Sequence, residues 1–406
     1  MATKNFAVPS GLRIRPLHIA AIVLISLLLS TVKIVSCQDS ADAKGNPQQQ
    51  SESVHGCTAK AFSDNAKPYF AFEKTRDGFD PTSKGWHREY VKNNSYAETW
   101  FFIVQTRQGG LLFVTLSVTN LGMRTFDGAC DVRFFTASGD RYDTYAQYRR
   151  KDISGARNTL DLTIGPNHLT SRNRIYHLTI NEKDLQLDMT LKGVLPEYQF
   201  GNGRVFFYKD RSAEWNIRFD APRAIAKGVL TVDGKTLSLD GDGYHDHIWS
   251  TIKLPTFAAK WYSLRFYDER FSIILHQIHL TDTFGGGQIC AGIIGDKDKL
   301  IPVRRFLYQP LKWRKEKTSG LQIPQELLVS IKTDDYTING TIKEARFLDS
   351  IDVLGQLSWP VRTAIKAFYT KPYMIRYQAR CDIHLTDRDG FQHNLSGLGV
   401  VGTNYY

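Results

Sequence analysis

Hydrophobic and polar residues alternate in short runs over most of the chain after about residue 60. The run "ETWFFIVQTRQGGLLFVTLSVTNLG" (98–122) predicts two strands joined at Gly109-Gly110. The run "GVLTVDGKTLSLDG" (228–241) predicts a hairpin that turns at Asp233-Gly234, a strong turn signal. The same pattern predicts further hairpins that turn at 138–140, 181–184, 268–269 and 389–390. We therefore expect an almost all-β protein.

Helical periodicity is rare by comparison, and the best short helix is 359–368, with Pro360 near its start. Evenly spaced strands over this length favour antiparallel barrels or sandwiches, and the length allows two of them. The pattern breaks at "STIKLPTFA" (250–258), where Pro255 interrupts it. We therefore predict two tandem β-barrels with few short helices, over 59–250 and 251–406.

The N-terminus is typical of an exported protein. A basic stretch precedes the apolar run Ile19–Val32, which is short for a membrane span, so 1–37 is predicted to be a signal peptide. The run ends in "IVSC" (34–37), which resembles a bacterial lipobox, and 38–58 is a polar, flexible tether. Lipidation of Cys37, ordinary cleavage near it and an uncleaved anchor all remain open. The expected location is an outer-membrane lipoprotein or a periplasmic or secreted protein, with the membrane as a partner through that N-terminus.

The formal net charge is +11, and removing 1–36, which carry four basic and no acidic residues, leaves +7. The densest basic stretch, "VRRFLYQPLKWRKEK" (303–317), is interpreted as a solvated loop. Helix-turn-helix, RRM and zinc-finger patterns are absent from the sequence, so we predict no nucleic-acid partner. Walker and GxGxxG motifs are also absent, and we predict no cofactor.

Four cysteines remain after Cys37, and their spacing does not match a zinc site. In an exported protein, disulfides are possible, and pairing within each predicted barrel would join Cys57 to Cys130 and Cys290 to Cys381. Buried free thiols are an equally good expectation, because cysteine is often buried as a small apolar residue.

The segment "GYHDHIWS" (243–250) carries the densest candidate chemistry in the chain. Side chains alternate between the two faces of a strand, so Tyr244 and Asp246 share one face. His245, His247 and Trp249 share the other face. One face therefore presents a phenol with a carboxyl group, and we expect it to point into the first barrel or into the seam between the barrels.

Two histidines at i and i+2 can contribute to a metal site, which suggests zinc for His245 and His247. A third ligand would have to come from elsewhere, for example from His276 or His279, and nothing in the sequence selects one. We therefore predict that no metal binds, with the imidazoles hydrogen-bonded to neighbouring strands instead.

The segment "GDGYHDHIWS" (241–250) resembles the signature of the lipocalin-like hydroxyneurosporene synthase family, also called carotenoid 1,2-hydratases. Their superfamily includes AttH-type secreted proteins, fungal lipocalin-like Diels–Alderases and survival-factor-type lipid proteins. The resemblance extends to "AETWFFIVQTRQGG" (97–110), "EWNIRFDAPRAIAKGVLTVDG" (214–234) and "YQARCDIHLTDRDGFQHNLSGLG" (377–399). It implies two tandem lipocalin-like antiparallel barrels.

The resemblance also implies a cofactor-free hydration or cyclisation of an apolar isoprenoid or polyketide-like substrate, with Tyr244, Asp246 and Trp215 in catalytic positions. An acid that protonates an alkene must keep its proton near neutral pH, and burial of Asp246 would favour this. A carbocation is stabilised by aromatic faces, for which Trp215, Trp100 and Tyr244 are candidates.

The alternative is a carrier that binds a lipid in the same kind of cavity without catalysis. Such a protein needs a lined cavity and an opening, and the fold alone does not decide between the two functions. In both cases the candidate ligand-binding residues are Trp100, His245, His247 and Trp249.

Overall fold

The structure is a computed structural model, and it describes residues 70–72 (backbone only), 84–120, 127–199, 204–303, 305–356 and 372–406. The predicted signal peptide (1–37), the tether (38–58) and the helix at 359–368 lie outside the described residues. Among the residues that are described, no helix is long and apolar enough to cross a membrane.

Within the described residues the first sheet contains fourteen strands, and every pair is antiparallel. Its strands are β1 (Phe70–Phe72), β2 (Ala97–Thr106), β3 (Leu111–Thr119), β4 (Asp127–Phe135), β5 (Arg141–Tyr148), β6 (Ile153–Gly155), β7 (Asp161–Ile164), β8 (Asn167–Arg172), β9 (Ile175–Glu182), β10 (Leu185–Gly193), β11 (Tyr198–Gln199), β12 (Val205–Phe207), β13 (Ala213–Val232) and β14 (Lys235–Ser250). The main path runs β5-β4-β3-β2-β14-β13-β10-β9-β8-β7-β6, which places β14 between β2 and β13.

The second sheet has nine strands in the described part of the chain, in the order β18-β17-β16-β15-β23-β22-β21-β20-β19. They are β15 (Ala258–Tyr267), β16 (Phe271–Leu280), β17 (Gln288–Asp296), β18 (Lys299–Val303), β19 (Phe306–Lys315), β20 (Gln322–Lys332), β21 (Tyr336–Asp352), β22 (Tyr373–Asp387) and β23 (Gln392–Tyr405). Short 3₁₀ turns lie at Arg88–Lys92, Arg150–Asp152, Asp282–Phe284 and Val353–Gln356, and one α-helical turn lies at Leu254–Phe257.

The predicted all-β architecture is confirmed, and its hairpins form where the turn residues indicated. At the β13–β14 turn, Asp233 and Gly234 have φ values of 50° and 72°. Two successive positive φ values define the tight turn that matches strand twist, and the Asp-Gly pair tolerates them. The break also lies where it was expected, because β14 ends at Ser250 and β15 begins at Ala258. The domain limits 59–250 and 251–406 stay a prediction.

The buried apolar residues form a separate core inside each sheet and a further core between the sheets. Phe102 and Leu187 lie in the first core, and Ile338 and Tyr377 lie in the second. The core between the sheets, which we call the seam, contains Trp215, Phe219 and Tyr244 from the first sheet and Trp261 and Ile274 from the second. Each sheet therefore curls around its own interior as a barrel, and the two barrels share an apolar contact.

The structure decides between the two expectations for the cysteines and corrects the one for the basic stretch. Cys130 and Cys381 are buried free thiols, which was one of the two expectations, so neither of the two pairings considered above forms, while Cys290 is disulfide-bonded. The basic stretch 303–317 is not a loop over its central part, because Phe306–Lys315 forms β19. Phe306 and Tyr308 are buried at strand spacing in the second core. The basic residues that follow them led to the prediction of a loop.

Candidate functional site

Strand β14 separates the first barrel's interior from the seam, and its side chains alternate between them. Tyr244 is fully buried in the seam core. His245 stacks on Phe102 of the first core, with ring centroids 4.0 Å apart. Tyr244 Oη donates a 2.6 Å hydrogen bond to Asp246 Oδ2, so these two side chains share the seam face. The sequence left open whether this face points into the first barrel or into the seam, and in the structure it points into the seam.

A hydrogen-bonded chain crosses the seam from the second sheet to Asp246. Trp261 Nε1 donates to His276 Nδ1 at 3.1 Å. An indole N–H can only donate, so Nδ1 of His276 accepts and the neutral ring carries its proton on Nε2, although Arg265 Nη2, which is also a donor, lies 3.2 Å from that nitrogen. That Nε2–H donates to Tyr244 Oη at 3.2 Å, and the Tyr244 hydroxyl in turn donates to the carboxyl group. Burial lowers the pKa of His276 well below its usual value, which keeps the ring neutral.

Arg265 of β15 supplies a positive charge to the same cluster. Its Nη2 lies 3.3 Å from Tyr244 Oη and 3.5 Å from Asp246 Oδ2, and its guanidinium lies 4.5 Å from the Tyr244 ring centroid. Its Nη1 donates to Ser263 Oγ at 2.8 Å. The arginine is 5% exposed, so this charge acts with little screening by water.

Two opposing effects set the protonation of Asp246. Burial raises the pKa of its carboxyl group to about 6, although Arg265 and the Tyr244 hydroxyl both favour the ionised form. The second oxygen, Oδ1, is buried and has no hydrogen-bond partner among the described residues. A proton on Oδ1 would leave the bonds to Oδ2 intact, so this carboxyl group can hold a proton near neutral pH.

The seam also contains two tryptophans, one of which belongs to this hydrogen-bonded cluster. Trp215 and Trp261 pack edge to face, with ring centroids 5.7 Å apart. Trp100, by contrast, lies in the first core, where it stacks on His247 at 4.9 Å. Of the aromatic residues expected near Asp246, Trp215 and Tyr244 lie in the seam and Trp100 lies on the opposite face of the sheet.

The barrel face of β14 carries a second polar cluster around Glu98 of β2. Glu98 is fully buried, and its Oε1 lies 2.7 Å from His247 Nε2 and 3.0 Å from His87 Nδ1. Tyr96 Oη donates to Oε2, and the His87 backbone N–H also donates to it at 3.1 Å. Burial would raise the pKa of Glu98, but the two imidazoles outweigh this and lower it to about 2. Glu98 is therefore an ionised acceptor.

Aromatic rings fix the imidazoles of this cluster. His87 stacks on Trp249 with ring centroids 4.2 Å apart. Burial lowers the pKa of His247 to about 4 despite the neighbouring carboxylate, so its ring is neutral at neutral pH. Because Nε2–H of His247 donates to Glu98, its Nδ1 is a lone-pair acceptor, and it has no partner among the described residues.

His245 takes part in a different contact. Its Nδ1 lies 3.1 Å from the Phe101 carbonyl oxygen and must donate there, which leaves Nε2 as an acceptor 3.4 Å from Asp220 Oδ2. Burial raises the pKa of Asp220 to about 7 against the effect of Arg218, whose Nε lies 2.5 Å from Oδ1. A protonated Asp220 can donate towards His245.

A family model shows where this chain belongs. The model of the Svf1 family matches residues 45–402, which include both barrels and both faces of β14. The chain belongs to the Svf1 family.

Two relatives carry names that state a ligand. The ceramide-binding protein svf1 of Schizosaccharomyces pombe is 21% identical over 301 residues, which are 70% of this chain and 79% of that protein. The ceramide-binding protein SVF1 of Eremothecium gossypii is 23% identical over 215 residues, which are 48% of this chain and 55% of that protein. The second match thus spans about half the length of that relative.

Solved structures share the fold of this Svf1-family chain. An AttH-type protein of Nitrosomonas europaea has a TM-score of 0.52 at 15% identity and covers 77% of this chain and 94% of its own. Kievitone hydratase of Nectria haematococca has a TM-score of 0.51 at 14% identity, covering 82% and 97%. CghA with Sch210972 has a TM-score of 0.55 at 10% identity, covering 83% and 98%. The lipocalin-like fold that the resemblance implied is confirmed.

Sequence reasoning found the β14 residues of both clusters but missed most of their partners. On the seam face it missed Arg265 and Trp261, and on the barrel face it missed His87, Glu98 and Tyr96. His276 was considered as a third metal ligand beside His247, but it lies in the seam, on the other side of β14. His279 is hydrogen-bonded to Gln277 at 3.2 Å instead.

Proposed function

We propose that this chain binds a ceramide-like lipid, with the polar headgroup on the barrel face of β14 and the apolar chains along the first core. Two relatives in the Svf1 family are named ceramide-binding proteins, and the barrel fold supplies an apolar interior. The observation that carries the placement is a group of buried polar atoms on this face that have no hydrogen-bond partner among the residues that the structure describes.

These polar atoms lie on adjacent strands in direct register. Asn216 of β13 pairs with Trp249 of β14, and His247 pairs with Trp100 of β2. The Asn216 amide, both indole N–H groups and His247 Nδ1 are buried without a hydrogen-bond partner among the described residues. A buried polar group left unpaired costs about 1–3 kcal/mol, so a ligand or ordered water that pairs them would stabilise the site.

The mixture of donors and acceptors favours a particular headgroup chemistry. Indole N–H groups donate, the unprotonated imidazole nitrogen accepts, and an asparagine amide does both. Ceramide offers hydroxyl groups and a secondary amide, which also donate and accept. A phosphate ester offers mainly acceptors and carries charge, so it pairs less completely with this set.

Removing one indole N–H should weaken ceramide binding about tenfold, the equivalent of one lost hydrogen bond. We expect this for Trp249→Phe, which keeps an aromatic ring beside His87. The same change at Trp313, which is 44% exposed, is the matched control and should leave the affinity unchanged. Native mass spectrometry with short-chain ceramide measures the affinity of both variants. Diacylglycerol, which lacks the amide, should bind to the wild type more weakly than ceramide does. Equal affinities for all three proteins would contradict the proposed headgroup position.

We infer a second candidate function, acid-initiated hydration or cyclisation of an isoprenoid or polyketide-like substrate in the seam. The observation that favours it is the geometry of Asp246, whose Oδ2 accepts a hydrogen bond from Tyr244 while Oδ1 has no partner in the described part of the chain. Burial favours the protonated carboxyl form. In this reaction Oδ1–H adds its proton to one alkene carbon, the other carbon becomes a cation, and water attacks it. The attacking water then returns a proton to the carboxylate, so no cofactor is consumed.

Export remains a proposal that rests on the sequence of residues 1–37. Cleavage near Cys37 would remove the basic and apolar stretch and leave the polar tether as the new N-terminus. Mass spectrometry of the purified native protein should therefore find a mature terminus near Cys37, with or without a lipid. A chain that begins at Met1 or Ala2 in a soluble cytosolic fraction would contradict export.

A further inference from the structure

Three side chains that can bind a metal converge inside the first barrel. Glu98 Oε1 lies 2.7 Å from His247 Nε2 and 3.0 Å from His87 Nδ1, and all three atoms lie within 4.8 Å of one another. The residues are 0%, 0% and 8% exposed. From the sequence, the pair His245 and His247 on β14 was considered and no metal was predicted. The structure instead places His247 beside a carboxylate from β2 and an imidazole that precedes the 3₁₀ turn at Arg88–Lys92.

We propose that His87, Glu98 and His247 bind one zinc ion, an inference that goes beyond the lipid and acid functions above. Two imidazoles and one carboxylate are a ligand set that zinc uses with a fourth position left for water. Zinc bonds of about 2.0–2.2 Å place tetrahedral ligand atoms roughly 3.3–3.5 Å apart. The observed nitrogen-to-oxygen distances of 2.7 and 3.0 Å are about 0.3–0.8 Å shorter than this, so zinc binding requires side-chain rotations that open the site.

Neighbouring side chains hold the carboxylate and both imidazole rings of this group in place. Tyr96 Oη and the His87 backbone N–H both donate to Glu98 Oε2, which holds the carboxylate and directs Oε1 to the imidazoles. Stacking on Trp249 fixes the His87 ring, and stacking on Trp100 fixes the His247 ring. Hydrogen bonds of this kind to a ligating carboxylate raise metal affinity. Coordination through Nε2 moves the proton of the His247 ring to Nδ1, which then becomes a donor to a headgroup oxygen instead of an acceptor.

The ligand set also offers a suitable charge. One carboxylate and two neutral imidazoles carry a single negative charge, and a divalent ion leaves a net positive charge that a bound hydroxide or a polar ligand oxygen can reduce. The group contains no thiolate. Its imidazole nitrogens are harder ligands than the thiolates of many zinc sites, and they are softer ligands than the oxygen atoms that bind magnesium and calcium. Zinc therefore fits these side chains better than magnesium or calcium does.

The test uses the full chain, treated with chelator and then given one equivalent of Zn²⁺, followed by gel filtration and elemental analysis. We expect close to one zinc per chain for the wild type and a loss of at least tenfold in retained zinc for His247→Ala. His245→Ala is the matched control, because His245 is equally buried on the same face but lies outside the ligand group. It should retain zinc like the wild type.

A second variant and a spectroscopic measurement keep the test decisive if His247→Ala does not fold. Glu98→Gln keeps the size and one acceptor oxygen but removes the charge, and it should also lose zinc. Co²⁺ bound to the wild type should give tetrahedral visible absorption without thiolate charge-transfer bands. Retention of less than about a tenth of an equivalent by the wild type, or zinc binding that survives both variants, would overturn the proposal. Ceramide binding is measured separately, so failure of one proposal is distinguishable from failure of the other.

Discussion

Replacing Asp349 by alanine should lower the free energy of unfolding by about 3–5 kcal/mol, a large fraction of the stability of a typical protein. Asp349 is 2% exposed and accepts hydrogen bonds from Arg376 of β22 and from Arg133 of β4, the latter at 3.3 Å. The guanidinium of Arg376 lies 4.1 Å from the ring centroid of Phe113. Removing the carboxylate therefore leaves the buried Arg376 without a carboxylate partner among the described residues, whereas Arg133 keeps its ion pair with Asp131 at 2.8 Å.

The matched control is the same substitution in an exposed pair. Arg141 and Asp143 form an ion pair at 3.1 Å with side chains 39% and 49% exposed. Pairs of this kind contribute about 0–1 kcal/mol, so Asp143→Ala should cost less than about 1 kcal/mol. Urea unfolding followed by tryptophan fluorescence and circular dichroism measures both variants. Equal losses in the two variants would mean that the buried network does not connect the barrels as the distances indicate.

The pH dependence of this effect follows from the sign of the pKa shift. Burial opposes ionisation of Asp349, but Arg376 and Arg133 outweigh it and hold the pKa of the carboxyl group below its usual value. A lowered pKa contributes stability above the unfolded-state pKa of about 3.9 and loses it as the pH falls through the folded-state pKa. The difference between wild type and Asp349→Ala should therefore be full at pH 7 and shrink in acid.

The strand pattern allowed most of the fold and half of each candidate cluster to be predicted. Alternation placed Tyr244 and Asp246 on one face and His245 and His247 on the other, because the spacing of side chains along a strand is local information. Glu98 also carried a local signal that went unused. It lies between Tyr96 and Trp100 at strand spacing, and an acid in phase with buried aromatic residues indicates a buried, paired charge.

The remaining partners depend on contacts that the local pattern does not contain. His87 and His247 are 160 positions apart in the printed sequence, and they meet because the segment before β2 turns back over the barrel face of β14. Arg265 and His276 reach Asp246 from the second sheet, so their contribution depends on how two barrels pack. Alternation also cannot tell which face of a doubly buried strand meets which core, and this is why Trp100 was grouped with Asp246.

Replacing Asp246 by asparagine should lower turnover about 10²–10⁴-fold if the seam catalyses acid-initiated hydration, the usual range for loss of a general acid. Asparagine keeps the size of the side chain and an acceptor for the Tyr244 hydroxyl, but it has no acidic proton to transfer. Ceramide binding should be unchanged, because the proposed headgroup position is on the other face of β14. The measurement is conversion of an acyclic carotenoid, detected as a product heavier by one water.

Asp242→Asn is the matched control for this change. Asp242 lies on the same strand with the same alternation as Asp246, but it is paired with Arg223 at 2.9 Å and its side chain is 39% exposed. Its substitution should leave turnover within about twofold, because an exposed, paired carboxylate has little influence on a buried site.

The same experiment separates an enzyme from a carrier. A wild-type chain that binds ceramide but leaves the carotenoid unchanged would contradict the acid mechanism for this substrate class and favour the carrier function. An Asp246→Asn variant that turns over at the wild-type rate would mean that another residue is the acid.

An Asp246→Asn variant that loses ceramide binding and turnover together would indicate a structural role for Asp246, because its hydrogen bond from Tyr244 and its contact with Arg265 join β14 to the second barrel. Only a selective loss of turnover requires the proton on the unpaired oxygen.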